Sequence, residues 1–238
     1  MRLGLVALLV GAAMALPAQA GDSNGNFQVK LGATGVWTDD DTKSFTALGG
    51  ANLIPGGNYA TTTDNAIPSL TLTYYLNNNL AVELFCCFDR VGVDAHGPAV
   101  GALGEVASTW IFPPILTLQY HFDGLGPIKP YVGVGAEWVH YFDSKSKIDG
   151  YSVDFDDSFG FALQAGVDYD LGQGWSLGVD VKKVWEDTKV TWTNTGTGTL
   201  GPNVIAKHDI DPLFVTANLG YRFNLSDLFG SRQVEPLK

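Results

Sequence analysis

The sequence predicts an all-β protein, an eight-stranded antiparallel barrel that crosses an outer membrane, and three observations carry that prediction. Strict alternation of apolar and polar residues recurs in eight segments. The connections between those segments are short on one side and long on the other. Aromatic residues gather at the segment ends beside the short connections, as they do in the girdles of transmembrane barrels.

In the first segment Phe27, Val29, Leu31, Ala33 and Trp37 share one face, and Gln28, Lys30 and Thr34 the other. The second sets Leu70, Leu72, Tyr74 and Leu76 against Ser69, Thr71 and Thr73. After the turn Asn77-Asn78-Asn79, the third carries Leu80, Val82, Leu84 and Phe88 opposite Ala81, Glu83 and Phe85. The fourth places Leu116, Leu118, Tyr120 and Phe122 opposite Thr117, Gln119 and His121, and DGLGP makes the next turn. The fifth sets Val132, Val134, Trp138 and Phe142 against Gly133, Gly135 and Glu137. The sixth sets Phe159, Phe161, Leu163, Val167 and Tyr169 against Gln164 and Asp168. LGQG leads into the seventh, with Trp175, Leu177, Val179 and Val181 opposite Ser176, Asp180 and Lys182. The eighth puts Leu213, Val215, Ala217, Leu219, Tyr221 and Phe223 opposite Thr216, Asn218 and Arg222.

Residues 77–79, 123–127 and 171–174 form short turns, whereas 38–65, 91–107, 143–157 and 187–208 read as long loops. Alternation alone would also suit a soluble sandwich or a lipocalin-like barrel. The apolar faces, however, run for about ten residues, the length a tilted strand needs to cross a bilayer. Closure also leaves no strand edge unsatisfied in lipid. The start of the chain fits an outer-membrane destination: Arg2, an apolar stretch and Ala18-Gln19-Ala20 have the form of a secretory signal over residues 1–20. The barrel is then expected over 21–223, with a periplasmic tail over 224–238.

Acidic residues outnumber basic ones 25 to 14, a balance that argues against a nucleic-acid partner. Cys86 and Cys87 are neighbours, too close for an ordinary disulfide and on opposite faces of a strand, so they read as small apolar wall residues. The four histidines show no metal-site spacing. Ser158, His208 and Asp209 could form a nucleophile set only if the loops brought them together. The acidic runs Asp39-Asp40-Asp41 and Asp154, Asp156, Asp157 read as solvated loop segments. No cofactor, metal or bond chemistry is expected.

One stretch breaks the pattern. In STWIFPPILTLQYHF (108 to 122), Pro113 and Pro114 stand directly before a clean strand. Proline has no N–H, and successive N–H groups of a strand point to alternate neighbours, so the pair removes one donor toward each flanking strand.

The chain resembles the OmpW family of eight-stranded outer-membrane proteins, and within it the AlkL-like branch. The likeness rests on NNNLAVELF (77 to 85), FPPILTLQYHF (112 to 122), KPYVGVGAEWVHYFD (129 to 143), DDSFGFALQAGVDYDL (156 to 171) and DPLFVTANLGYRF (211 to 223), with TGTLGP (197 to 202) similar to the alkane-facilitator branch. The resemblance implies a narrow barrel in the outer membrane of a Gram-negative bacterium that passively admits small hydrophobic molecules. It also implies a sideways exit, held open by the motif matched at Phe112, Pro113 and Pro114. Expected partners are outer-membrane lipid and lipopolysaccharide, small hydrophobic ligands and, during biogenesis, the barrel-assembly machinery. Relatives usually stop at the aromatic matched by Phe223, whereas this chain runs on to Lys238.

With the short turns in the periplasm, Lys30, Glu83, Gln119, His121, Asp168 and Arg222 fall inside the barrel near its periplasmic end, as a polar plug. Val36, Phe85, Ile115, Val139 and Phe214 lie above them, as an apolar passage. Counting back nine residues from Phe122, at about 3.3 Å each and a tilt of about 40°, puts Pro113 about 23 Å up, near the outer boundary of the membrane. Two readings of the prolines remain: a doorway from lumen to lipid, or the simple end of a paired strand. A structural or host-interaction barrel without transport, and a narrow channel for small polar solutes, remain beside the facilitator.

Overall fold

The computed structural model describes residues 25–47, 50–52, 57–98, 104–199 and 201–224. The expected leader, residues 1–20, and the tail beyond Asn224 lie outside the described residues. In chain order the strands are β1 (Phe27–Trp37), β2 (Asp41–Ala47), β3 (Ala51–Asn52), β4 (Tyr59–Thr62), β5 (Asn65–Tyr75), β6 (Leu80–Cys86), β7 (Asp89–His96), β8 (Gly104–Phe112), β9 (Ile115–His121), β10 (Ile128–Ser146), β11 (Tyr151–Phe155), β12 (Ser158–Gly172), β13 (Trp175–Trp185), β14 (Asp187–Asn194), β15 (Asn203–Asp209) and β16 (Leu213–Phe223).

Eight of these strands close the barrel in the order β1, β5, β6, β9, β10, β12, β13, β16, with β16 pairing back onto β1. Every neighbouring pair is antiparallel, from Phe27 opposite Phe223 through to Trp37 opposite Leu213 on the closing seam. The alternation read from the sequence sets which side chains face lipid, because a strand turns successive side chains to opposite faces. Leu31, Leu72, Leu118, Val134, Val179 and Leu219 are exposed on the outside, while Lys30, Thr71, Glu83, Gln119, Gln164 and Asp180 are buried inside. Tyr120, Phe122, Tyr169, Trp175 and Tyr221 ring the outside at the short-turn end, and Trp37, Phe88, Phe159 and Trp185 do so at the other.

Glycines admit bulk into the narrow lumen. A Cβ on Gly166 would lie 2.4 Å from the ring of Tyr131, so this glycine leaves the place the tyrosine occupies. The tight LGQG turn holds Gly172 and Gly174 at φ 84° and Gln173 at φ 55°, left-handed values that cost glycine little.

The long connections expected over 38–65, 91–107, 143–157 and 187–208 carry strands of their own among their described residues. β11, β14, β15, β2 and β3 form a second sheet above the barrel, and β4, β7 and β8 pair beside the upper half of β10. Alternation persists there: Val190 and Trp192 on β14, with Val204 and Ala206 on β15, point inward. They meet Ala95, Ala107, Tyr141 and Phe155 in one apolar core, so the extracellular extension is a packed sandwich.

Candidate functional site

The floor of the lumen is a network of paired charges. Lys30 on β1 reaches Asp168 on β12 at 2.7 Å, both buried. Lys182 on β13 reaches Glu83 on β6 at 3.1 Å and pairs with Asp180 two residues before it. Gln164 donates to Glu83 at 2.8 Å and to Asp180 at 2.6 Å, and its carbonyl accepts from Thr117 and Gln119. Gln119 also bonds His121 at 2.9 Å, and the His121 ring lies between those of Tyr75 and Tyr131. Arg222 sits over the Tyr75 ring at 3.7 Å and donates to the Gly25 carbonyl. The structure therefore brings together all six residues singled out for this end. It adds Lys182, Asp180 and Gln164, whose inward positions were legible although their membership in the network was not, together with Tyr75 and Tyr131.

Above the floor the lumen turns apolar. Phe85, Ile115, Phe214 and Val36 pack together with Ile67, Cys87, Ala162 and Val184. Val139 joins the core of the extracellular sandwich instead. The interior of an eight-stranded barrel is only just wide enough for side chains. In keeping with that, Phe85 and Ile115 are fully buried and the apolar level is filled. A cavity of about 50 Å3 lies at this level among the described residues. Its walls include Val36, Ile67, Pro113, Val139 and Phe214, with Cys87 beside them.

The wall beside this cavity is interrupted on one side. Toward β10, pairing stops at Glu137 opposite Ile115 and resumes in register at His140 opposite Phe112, with one backbone bond bridging the prolines between them. There the Trp138 N–H donates to the Pro114 carbonyl at 3.1 Å. Toward β6 and β7, pairing stops at Phe85 opposite Ile115 and resumes at Asp89 opposite Ile111. Cys86, Cys87 and Phe88 thus face Pro114, Pro113 and Phe112 without ladder pairs. The direction of the missing donor follows from the alternation. The His121 N–H donates to Asn79 and the Phe122 N–H to Pro130, so odd-numbered residues of this strand face β6 and even-numbered ones β10. Pro113 therefore aims its missing N–H at Cys87, whereas Pro114 faces β10. Outside, the Phe88 and Phe112 rings stack at 4.8 Å across the break; inside, Cys87 and Pro113 are buried and line the cavity.

Ser158, His208 and Asp209 do not assemble. Ser158 donates to Glu186 at 2.7 Å, and His208 contacts Asp40 at 3.0 Å and Thr42 at 3.2 Å. His121 faces the lumen and His140 the outside. Burial alone would raise the Asp40 carboxyl, but hydrogen bonds from His208 and Thr62 outweigh it and hold its pKa below the ordinary aspartate value. A depressed carboxyl contributes stability above its unfolded value and loses it as pH falls through the lowered one. Asp40→Asn should therefore loosen the β2–β15 pairing by about 1–2 kcal/mol near neutrality and flatten its acid dependence below about pH 4. Limited proteolysis of residues 41–47 across pH checks this; equal cleavage of both proteins would contradict it.

An apolar belt bounded by aromatic rings, on a closed barrel with a polar floor, defines an outer-membrane β-barrel of a Gram-negative bacterium. The chain belongs to the OmpW family, whose profile matches residues 23–223. It is 33% identical over 212 residues to the outer membrane protein AlkL of Ectopseudomonas oleovorans, covering 86% of this chain and 85% of that one. A Pseudomonas aeruginosa protein named dibenzothiophene metabolism operon protein PahQ is 29% identical over 202 residues, 82% and 87% of the two chains. The crystal structure of the outer membrane protein OprG from Pseudomonas aeruginosa superposes with a TM-score of 0.76 at 27% identity, covering 86% of this chain and 98% of that one.

Proposed function

We propose that this barrel is a passive facilitator that carries small apolar molecules from the outside into the outer membrane. The observation that carries the reading is the one-sided ladder break at Pro113, with a largely apolar cavity directly behind it. On this reading Phe112, Pro113 and Pro114 frame a side opening. Val36, Phe85, Ile115, Val139 and Phe214 form walls that yield by rotamer change. Lys30, Glu83, Gln119, His121, Asp168 and Arg222, tied into one network with Lys182, close the way straight down. Transfer is driven by removing apolar surface from water, about 25 cal/mol per Å2, and needs no energy source and no bond chemistry. The kinship with a relative named for dibenzothiophene metabolism supports an apolar ligand. The lipopolysaccharide leaflet is the barrier such a ligand meets first. Residues 1–20 would serve as the export signal and the segment after Asn224 as a periplasmic tail.

Uptake of a labelled alkane by cells with and without the barrel tests the proposal. Faster uptake with the barrel is expected, and equal rates would refute it.

A further inference from the structure

Among the described residues the lumen holds one buried carboxyl group that no hydrogen-bond donor meets. Glu137, on β10 beside the proline break, is 1% exposed, and neither carboxylate oxygen has a hydrogen-bond partner. The other lumenal carboxylates are met: Asp168 by Lys30, Glu83 and Asp180 by Lys182 and Gln164, and Glu186 by Ser158. Asp89, at the rim of the break, accepts from Asn65. A buried carboxylate without donors is costly, and the floor shows that this barrel places lysines where a carboxylate is to be neutralised from within. At Glu137 it places none. Glu137 and Glu186 both line the cavity of about 50 Å3. That is room for a polar group of a few heavy atoms but not for a long chain, and the break at Cys87 and Pro113 lies in the same wall.

We propose that Glu137 is a head-group site. It accepts hydrogen bonds from the donor end of a small amphiphile, an ammonium or a hydroxyl, while the apolar part lies against Val36, Ile67, Val139 and Phe214 and leads out past Pro113. This adds a donor-headed class to the apolar ligands of the facilitator and rests on that reading for its physiological meaning. An ammonium would supply a balancing charge and three donors, and a hydroxyl one donor. A pure hydrocarbon would pass without using this group.

The test is equilibrium retention of labelled octylammonium, 1-octanol and octane by the full chain in lipid nanodiscs, with protein-free discs subtracted. Saturable binding of the donor-headed compounds is expected. Glu137→Leu should weaken it about tenfold, the ratio commanded by one hydrogen bond to a charged group, and leave octane unchanged. Glu137→Gln, nearly the same shape, guards against a folding artefact and should weaken octylammonium more than octanol. Response to octylammonium alone assigns a cationic head; response to both assigns any donor. No saturable binding, or the same affinity in Glu137→Leu as in the native chain, overturns the site. Binding without faster cellular uptake would preserve this site and refute the passage, and uptake without Glu137-dependent binding would do the reverse.

Discussion

Lys182→Met is expected to destabilise the barrel by about 3–5 kcal/mol, the range for stripping one partner from a buried ion pair. Lys182 is buried to 2% of its side-chain surface and answers both Glu83 and Asp180, while its ammonium also lies 4.6 Å above the Phe85 ring. Methionine fills much of the same volume but leaves two carboxylates without their cation. The Gln164 amide would still reach both, but a neutral donor offsets only part of the desolvation cost. Urea unfolding in lipid vesicles, followed by tryptophan fluorescence, reads the loss. Adding Glu83→Gln should restore part of it, because the two positions are coupled through contact. A loss below about 1 kcal/mol, the scale of a solvent-exposed pair, would show that water reaches the floor.

Pro113→Ala is expected to slow uptake of a labelled alkane roughly fivefold while making the barrel more stable by about 1 kcal/mol. Alanine returns the N–H that points at Cys87, and one restored ladder bond of that size shifts a closed–open equilibrium by that factor. The opposite signs of the two effects matter: a variant that merely damaged the fold would lose both stability and uptake. Pro114→Val is the control, since its backbone faces β10, where the Trp138 N–H already bonds to the Pro114 carbonyl. Unchanged uptake in a folded Pro113→Ala barrel would leave strand termination as the meaning of the break.

The period-two pattern made the transmembrane half of the fold legible, because lipid outside and a crowded lumen inside punish any slip of register. Lys30, Glu83 and Asp168 could be placed by counting from the turns. That Lys182 completes the floor could not be counted out, since it depends on which strands face each other across the lumen. The extracellular sandwich was less legible. Its strands are shorter and lie among turn residues, yet Val190 and Trp192, like Val204 and Ala206, carry the same alternation and could have disclosed it. The prolines showed a break but not its side, which required the direction of the His121 and Phe122 donors. Glu137 looked like any other inward residue; its lack of a partner exists only in three dimensions.

The most direct test of an apolar passage over a closed floor is to compare two solutes in the same cells, labelled octane and labelled glycerol, with and without the barrel. The barrel should accelerate octane and leave glycerol unchanged. Accelerated glycerol with unchanged octane would contradict the apolar passage and make the barrel a polar channel.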